Sequence, residues 1–213
     1  MEIESFAQCL AYISATAKEK SSFEMLIAPA SSLIGIVIGF SLNYFRDKGK
    51  ARKEADNKLM CVEEDIVRSM QGAQHVFKEV IKLYDDFMAV GRPDGHNLPS
   101  EINTPYIDHH FVGIAHLLTQ DQRHLIVSTL PSLKELNVLI RNISNFLQIT
   151  VTDAIRDCKN AASLTIFCVD NCMAYFHGKR KNPSDWVSMA DELGVSSLVI
   201  ERLRQHGLRQ PAD

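Results

Sequence analysis

The sequence contains no Cys-x-x-Cys pair, although it has five cysteines, at positions 9, 61, 158, 168 and 172. Zinc ribbons and thioredoxin-like redox proteins need such pairs, so both classes are excluded. Cys158, Cys168 and Cys172 recur at helical spacing, which predicts small apolar residues on one buried helix face. The chain also lacks a glycine-rich phosphate loop, a serine nucleophile elbow and a kinase signature. The sequence therefore predicts no catalytic residue, no cofactor and no enzyme.

The chain has little net charge, −3 over 213 residues, so no overall electrostatic field draws it to nucleic acid. Its composition, 46% hydrophobic and 23% charged, is typical of a folded protein rather than a disordered one. Strand-like alternation is scarce, and the β-rich piece "SLTIFCV" has helical neighbours. These features predict an all-α fold.

The sequence also lacks the Glu-x-x-His pair that supplies the best-known metal site in helical bundles. Four histidines and two aspartates form a loose group: His109, His110, His116, His124, Asp108 and Asp121. Their spacing matches no recognised ligand pattern, so no metal site is predicted.

A long stretch between Glu24 and Arg46 carries no charged residue. As a helix it would reach roughly 30 Å, the thickness of the hydrocarbon core of a bilayer. The acidic start "MEIES" before it and the basic residues after it are the reverse of a signal peptide. This pattern predicts a retained transmembrane helix over residues 25–45, preceded by an outward-facing amphipathic tail over residues 1–24.

Five basic residues follow this stretch directly: Arg46, Lys48, Lys50, Arg52 and Lys53. The positive-inside bias places such residues on the cytoplasmic side, where they contact anionic lipids of the inner leaflet. The sequence thus predicts a single-pass inner-membrane protein with its N-terminus outside, its C-terminus in the cytoplasm and the lipid bilayer as a partner.

Small or polar residues recur every four positions within the same stretch, at Ser31, Gly35, Gly39 and Asn43. They share one helix face, and Gly-x-x-x-Gly lets two helix backbones approach closely. Asn43 is placed to hydrogen-bond across the same seam. We therefore expect the chain to form a homo-oligomer through this face.

Beyond this stretch the pattern stays helical, and no proline occurs between Pro29 and Pro93. Apolar residues recur by threes and fours at Leu59, Val62, Ile66, Met70, Ala73, Phe77, Val80, Tyr84 and Phe87. This spacing predicts one long helix ending near Val90, followed by the loop "GRPDGHNLPSEINTP".

A short helix is predicted over residues 106–118, a second helix begins near a cap at Asp121, and a further helix begins at about Thr152. Pro131 is expected to interrupt or kink the second helix. The economical architecture is an antiparallel cytoplasmic helical bundle over residues 46–178.

The C-terminal stretch, residues 182–208, has the pattern of two short helices around a tight turn. Its Ala190, Gly194, Val195, Ser196 and Ile200 resemble the helix-turn-helix family of DNA-binding modules over residues 186–207. The resemblance implies a turn at the glycine, with Ser196 or Ser197 capping the second helix.

The helix-turn-helix resemblance implies a membrane-tethered DNA-binding regulator that uses Arg202, Arg204 and His206, with nucleic acid as a partner only under this alternative. The plainer interpretation is that two short helices close the bundle.

A second alternative is a membrane-anchored ribonuclease of the HEPN type, which uses an arginine and a histidine a few residues apart. Arg68 and His75 have a permissible spacing, but about one such match is expected by chance.

The overall layout resembles small bacterial proteins with one N-terminal span and a cytoplasmic helical domain, some of which are membrane effectors in defence against phage. The leading hypothesis is a non-enzymatic membrane protein. Its bundle senses or binds a small-molecule or protein trigger, and its span self-associates.

Overall fold

A computed structural model describes residues 22–178 and 184–205, with side chains from residue 34 onward. These described residues form six α-helices and two short 3₁₀ helices, and no strand occurs among them. The predicted all-α class is therefore confirmed. The helices are α1 (Ser22–Ala89), α2 (Pro105–Ile114), α3 (Gln120–Ser144), α4 (Val151–His177), α5 (Trp186–Glu192) and α6 (Ser197–Gln205). The 3₁₀ helices are Ala115–Leu117 and Phe146–Gln148.

The chain divides into two compact units, Met1–Glu54 and Ala55–Asp213, called here the N-terminal unit and the C-terminal unit. Helix α1 contributes residues to both units, and the remaining helices belong to the C-terminal unit. The predicted amphipathic tail, residues 1–24, lies outside the described residues except for its last three positions.

The prediction of a transmembrane helix over residues 25–45 is wrong. Across the part of the chain that the structure describes, no helix is long and apolar enough to cross a membrane. The lack of charge over residues 25–45 does not by itself establish a span, and basic and acidic residues such as Arg46, Asp47 and Lys48 follow it directly in the same helix. The single-pass inner-membrane location, with its N-terminus outside and C-terminus in the cytoplasm, is corrected for the same reason.

The core of the C-terminal unit follows the apolar seam of α1. Side chains from Val62 to Phe87 along this seam are buried, among them Phe77 with no exposed surface. Those from Ala73 to Phe87 pack in one cluster with α3 and α4, through residues such as Leu136 and Ile140. Val62 and Ile66 pack in a second cluster, which includes residues of α2, α3 and α4. The predicted helical seam is confirmed, and the helix ends at Ala89, one residue before the expected end at Val90.

Helices α3 and α4 run antiparallel, because Thr129 near the start of α3 lies beside Asn171 near the end of α4. Helix α3 begins at a capping box in which Thr119 and Gln122 satisfy each other's backbone N–H groups, so the predicted cap at Asp121 is wrong. The helix continues through Pro131 without interruption. Buried residues on both sides of the proline hold it against the bundle.

The loop between α1 and α2 is fixed against the bundle at the end that leads into α2. Ile102 pairs with Asn137 through two hydrogen bonds, of 2.8 and 3.0 Å. Gly72 lets it approach α1, since a Cβ there would lie 3.2 Å from Ile102 Cγ1. Asp65, fully buried, accepts hydrogen bonds from the N–H groups of Tyr106 and Ile107 and thereby caps α2.

Candidate functional site

The N-terminal unit carries a run of exposed apolar side chains, which we call the apolar segment, residues 34–45. Eight large apolar residues in it are exposed: Ile34, Ile36, Val37, Ile38, Phe40, Leu42, Tyr44 and Phe45. They point to all sides of the helix rather than to one stripe, because consecutive residues lie about 100° apart. Exposed apolar surface of this extent is typical of an interaction site.

Two of the four residues predicted for self-association lie in open space within the apolar segment. A Cβ built at Gly35 or at Gly39 would have no neighbour within 4 Å. Asn43 follows on the same face and is exposed. Ser31 lies in α1, but its side chain is outside the described part of the chain. The described face is thus formed by Gly35, Gly39 and Asn43, and no contact with the described residues explains its glycines.

The five basic residues after the apolar segment are all exposed. The described contacts are local, since Arg46 lies 3.8 Å from Asp47 and Lys48 lies 5.9 Å from the Tyr44 ring. Their assignment to an inner leaflet depended on the span and is withdrawn with it.

The C-terminal hairpin, α5 and α6, has the turn geometry that the sequence predicts. Gly194 has φ +69°, the left-handed conformation expected of a glycine just after a helix. The N–H of Gly194 donates to Asp191 and that of Val195 donates to Ala190, which together form a Schellman motif. Helix α6 begins at Ser197, which places Ser196 at its N-cap position.

Contacts of the hairpin with the bundle use part of the surface that DNA binding would need. Trp186, Met189 and Leu203 are buried in the core cluster. Arg202 lies 3.0 Å from Asp85 of α1, a carboxylate that is mostly buried. Arg204 pairs instead with Glu201 of its own helix at 3.6 Å.

The third residue predicted for DNA binding, His206, lies outside the described residues. The helix-turn-helix alternative thus remains a prediction, and its Arg202 is engaged in packing within the chain.

Several acidic residues of α1 and of the loop that follows it lie near the contact between Arg202 and Asp85. Burial raises the pKa of Asp86, and the neighbouring charge of Asp85 raises it further. Arg202 opposes that rise, and Asp94 adds to it. Arg202 therefore compensates several negative charges where α6 meets α1.

The arginine and histidine of the ribonuclease alternative both have structural partners. Arg68 binds Glu64 at 3.0 Å and Asp65 at 3.3 Å. His75 Nε2 lies 2.9 Å from the backbone oxygen of Asn97, in the loop after α1. These contacts tie α1 to itself and to that loop, and the ribonuclease alternative stays a prediction.

The histidine group on α2 and α3 does not gather around a common point. Tyr106 and His110 stack with ring centroids 6.2 Å apart, and His109 lies beside His110. Among the described residues, no three histidine, cysteine or acidic side chains are placed to hold a metal ion.

The cysteines of α4 lie in the core, as their spacing predicts. Burial raises the pKa of Cys158, Cys168 and Cys172 to about 12 each, with minor contributions from Asp157 to Cys158 and from Cys172 to Cys168. A thiol held protonated in this way is a poor nucleophile and a poor metal ligand. Their role is packing.

A pocket that the sequence does not indicate lies among α1, α2, α3 and α4, all within the C-terminal unit. It holds about 310 Å³ of empty space, open solvent at its mouth included. Its lining is uncharged: Ile66, Ser69, Ile107, Leu125, Ile126, Thr129, Leu130, Leu133, Asn171, Cys172 and Tyr175. These residues come from four helices, so no local motif could reveal it.

Three polar side chains in the pocket lining are already engaged. Thr129 donates to the backbone oxygen of Leu125 at 2.7 Å and accepts from Asn171 at 3.1 Å. Tyr175 donates to Glu63 at 3.4 Å, and burial together with that carboxylate raises its pKa to about 12. Ser69 differs, because its Oγ is buried and has no hydrogen-bond partner.

Comparison with known protein families, with curated proteins and with solved structures finds no match to this chain. The resemblances to a helix-turn-helix and to single-span bacterial proteins therefore stay predictions. Function is inferred from the chain's own geometry.

Proposed function

We propose that this chain is a non-enzymatic, self-associating helical protein. Its apolar segment binds a second copy of the chain, and its C-terminal bundle binds a small ligand or a partner. The observation that carries the proposal is the exposure of eight large apolar side chains between Ile34 and Phe45. Burying them against another copy would remove their apolar surface from water, the main driving force for association.

The glycines support a second copy of this chain as the occupant. Glycine inside a helix costs about 1 kcal/mol relative to alanine, so two of them within one turn weaken the helix. Among the described residues, no packing accounts for Gly35 or Gly39. Close approach of two helix backbones would account for both, and the Asn43 side chains of two parallel copies would meet on the same face.

The C-terminal unit supports the binding half of the proposal. Its core is closed by the packing of α1, α3 and α4, with the hairpin held through Arg202 and Asp85. A concave apolar pocket lies among its helices, which is the usual character of a small-ligand site.

The test of self-association is a pair of leucine substitutions on the glycine face. Sedimentation velocity should show that Gly35→Leu/Gly39→Leu shifts the full chain towards monomer, because leucine side chains hold the two backbones apart. Helix propensity rises with this change, so loss of the helix would not explain the shift.

Gly49→Leu is the matched control for this pair. Gly49 lies in the same helix, is exposed and has no neighbour near its Cβ position. It should associate like the wild type. Equal oligomeric states for all three proteins would contradict the proposed role of the glycine face.

A further inference from the structure

Basic residues after the apolar segment continue one of its helix faces. At about 100° per residue, Lys50 and Lys53 lie within about 40° of Arg46 around the helix axis. Gly35 and Gly39 lie within about 20° of the same direction. Helix α1 runs unbroken through all of these positions. The glycine face therefore leads directly into a stripe of three cations, Arg46, Lys50 and Lys53, which we call the basic stripe.

The charges of the basic stripe are open to solvent, and few groups within the chain balance them. All three residues are exposed. Arg46 lies 3.8 Å from Asp47, and the two side chains are still 66% and 69% exposed. Within the described part of the chain, the two lysines of the stripe take part in no ion pair. The acidic residues of this stretch lie about 80–100° to either side of the stripe, at Asp47, Glu54 and Asp56.

Self-association through the glycine face would bring two copies of the basic stripe together. Each stripe is about 10 Å long, because each residue of a helix adds about 1.5 Å. In a parallel pair of helices, the orientation in which the Asn43 side chains meet, the axes lie about 8–10 Å apart. These distances are close to the Debye length of about 8 Å at physiological ionic strength, so salt screens the repulsion only in part. The two stripes therefore oppose association unless an anion lies between them.

The arrangement of the cations indicates which kind of anion fits. Arginine and lysine side chains donate strong, charge-assisted hydrogen bonds to phosphate oxygens. An anion with two or three linked phosphate groups carries several charges over a length similar to that of the stripe, so it can contact both copies at once. A monovalent anion screens the cations without bridging them.

We propose that the basic stripes of two copies together bind a compact, soluble anion with several phosphate groups, and that this ligand tightens self-association. One chain alone has an incomplete site, because each copy supplies half of the cations. The proposal rests on the proposed self-association, for which it names a ligand and a form of regulation.

Sedimentation equilibrium of the full chain tests the proposal, with sodium tripolyphosphate as the probe and sodium chloride at the same ionic strength as the reference. Tripolyphosphate should lower the dissociation constant of the assembly about 10-fold relative to chloride, the usual contribution of one charge-assisted hydrogen bond. Equal dissociation constants in the two salts would overturn the proposal and leave self-association intact. A chain that stays monomeric in both salts would contradict self-association and the ligand together.

Two variants with the same loss of charge assign the site to one helix face. Lys50→Gln/Lys53→Gln, in the basic stripe, should abolish the difference between the two salts. Lys48→Gln/Arg52→Gln removes charges that lie about 120–160° from Arg46 and should keep the difference. Glutamine, lysine and arginine have similar helix propensities, so the helix is preserved in both variants. The same response in both variants would overturn the assignment to the basic stripe.

Lipid headgroups carry the same phosphate chemistry, and a third arm of the experiment separates this source from a soluble one. Wild type and Lys50→Gln/Lys53→Gln are sedimented with vesicles of phosphatidylcholine that contain phosphatidate. Both proteins should partition equally between vesicles and buffer. Binding to the vesicles that depends on the stripe, without a response to tripolyphosphate, would place the phosphate on a membrane and overturn the soluble ligand.

Discussion

Two stretches of helix α1 have opposite surroundings. Between Ile34 and Phe45 the apolar side chains are exposed, with Phe40 at 74%. Between Ala73 and Phe87 they are buried, with Phe77 at 0%. Both stretches are helical and rich in large apolar residues, so composition alone does not decide which of them the chain covers.

The two stretches differ in how apolar and charged residues are distributed around the helix. From Ala73 to Phe87 the apolar residues alternate with charged ones such as Lys78 and Lys82, which leaves one stripe for α3 and α4 to cover. The apolar segment has no charged side and no stripe. A helix of that kind needs partners around it, and within the described residues of the N-terminal unit its large side chains stay exposed. The predictions below test this contrast.

The largest effect is expected for a deletion in the buried stretch. Phe77→Ala should lower the free energy of unfolding by about 3–5 kcal/mol, because it leaves a cavity in the main core. Urea denaturation followed by circular dichroism measures this. Phe40→Ala, the matched control in the apolar segment, should change unfolding by less than about 0.5 kcal/mol and should weaken self-association instead. Similar losses of stability for both variants would remove the contrast.

A smaller effect is expected where the hairpin meets the buried stretch. Asp85→Ala should destabilise the chain by about 1–2 kcal/mol, since it leaves the partly buried Arg202 without its carboxylate. Glu201→Ala breaks the exposed pair with Arg204 and should cost less than about 1 kcal/mol. Thermal denaturation of both variants measures the difference, and an equal loss would mean that Asp85 does not anchor the hairpin.

A substitution in the turn of the hairpin should lower the free energy of unfolding by about 1 kcal/mol. Gly194→Ala forces a residue with a Cβ into a left-handed conformation, at φ +69°. Gly95→Ala, in the loop after α1, has open space at its Cβ position and no positive φ, so it should be close to neutral. Paired urea titrations compare the two, and a neutral Gly194→Ala would show that the turn relaxes.

The smallest expected effect is a change in how the stability of the fold depends on pH. Burial on its own raises the pKa of Glu79, but Lys82, the Asn97 backbone N–H and the charge of His75 outweigh it and lower the pKa below 4.5. Because the folded pKa is the lower one, Glu79 stabilises the fold above about pH 4.5, and this stabilisation is lost as the pH falls through the folded value.

Glu79→Gln should therefore flatten the acid side of a plot of stability against pH. Lys82→Met should flatten it as well, because it removes a favourable partner of the carboxylate. A Glu79→Gln profile parallel to that of the wild type would show that this carboxyl does not contribute to acid unfolding.

Much of the helical layout could be predicted from periodicity and breakers. Val62, Phe77 and Tyr84 are buried as their spacing predicts, and the loop after Val90 lies where glycine and proline cluster. The cap of α3 was missed because Thr119 with Gln122 forms a better capping box than Asp121. Pro131 was overestimated as a breaker, because tertiary packing maintains the helix around it.

The site was less accessible to sequence reasoning. The absence of charge from residue 25 to residue 45 suggested a membrane span, but no helix among the described residues is long and apolar enough to cross a membrane. The helix face of Gly35, Gly39 and Asn43 could be predicted from the sequence, because its residues recur every four positions in one short stretch. The pocket in the C-terminal unit could not be found in this way, since residues from four helices contribute to it.

The most direct test of the central claim is the mass of the full chain in solution, measured by sedimentation equilibrium in dilute buffer. The account predicts a wild-type mass that is a multiple of 23.9 kDa and an Ile36→Lys/Phe40→Lys variant that sediments as a monomer. A wild-type protein that sediments as a monomer at all concentrations would contradict it.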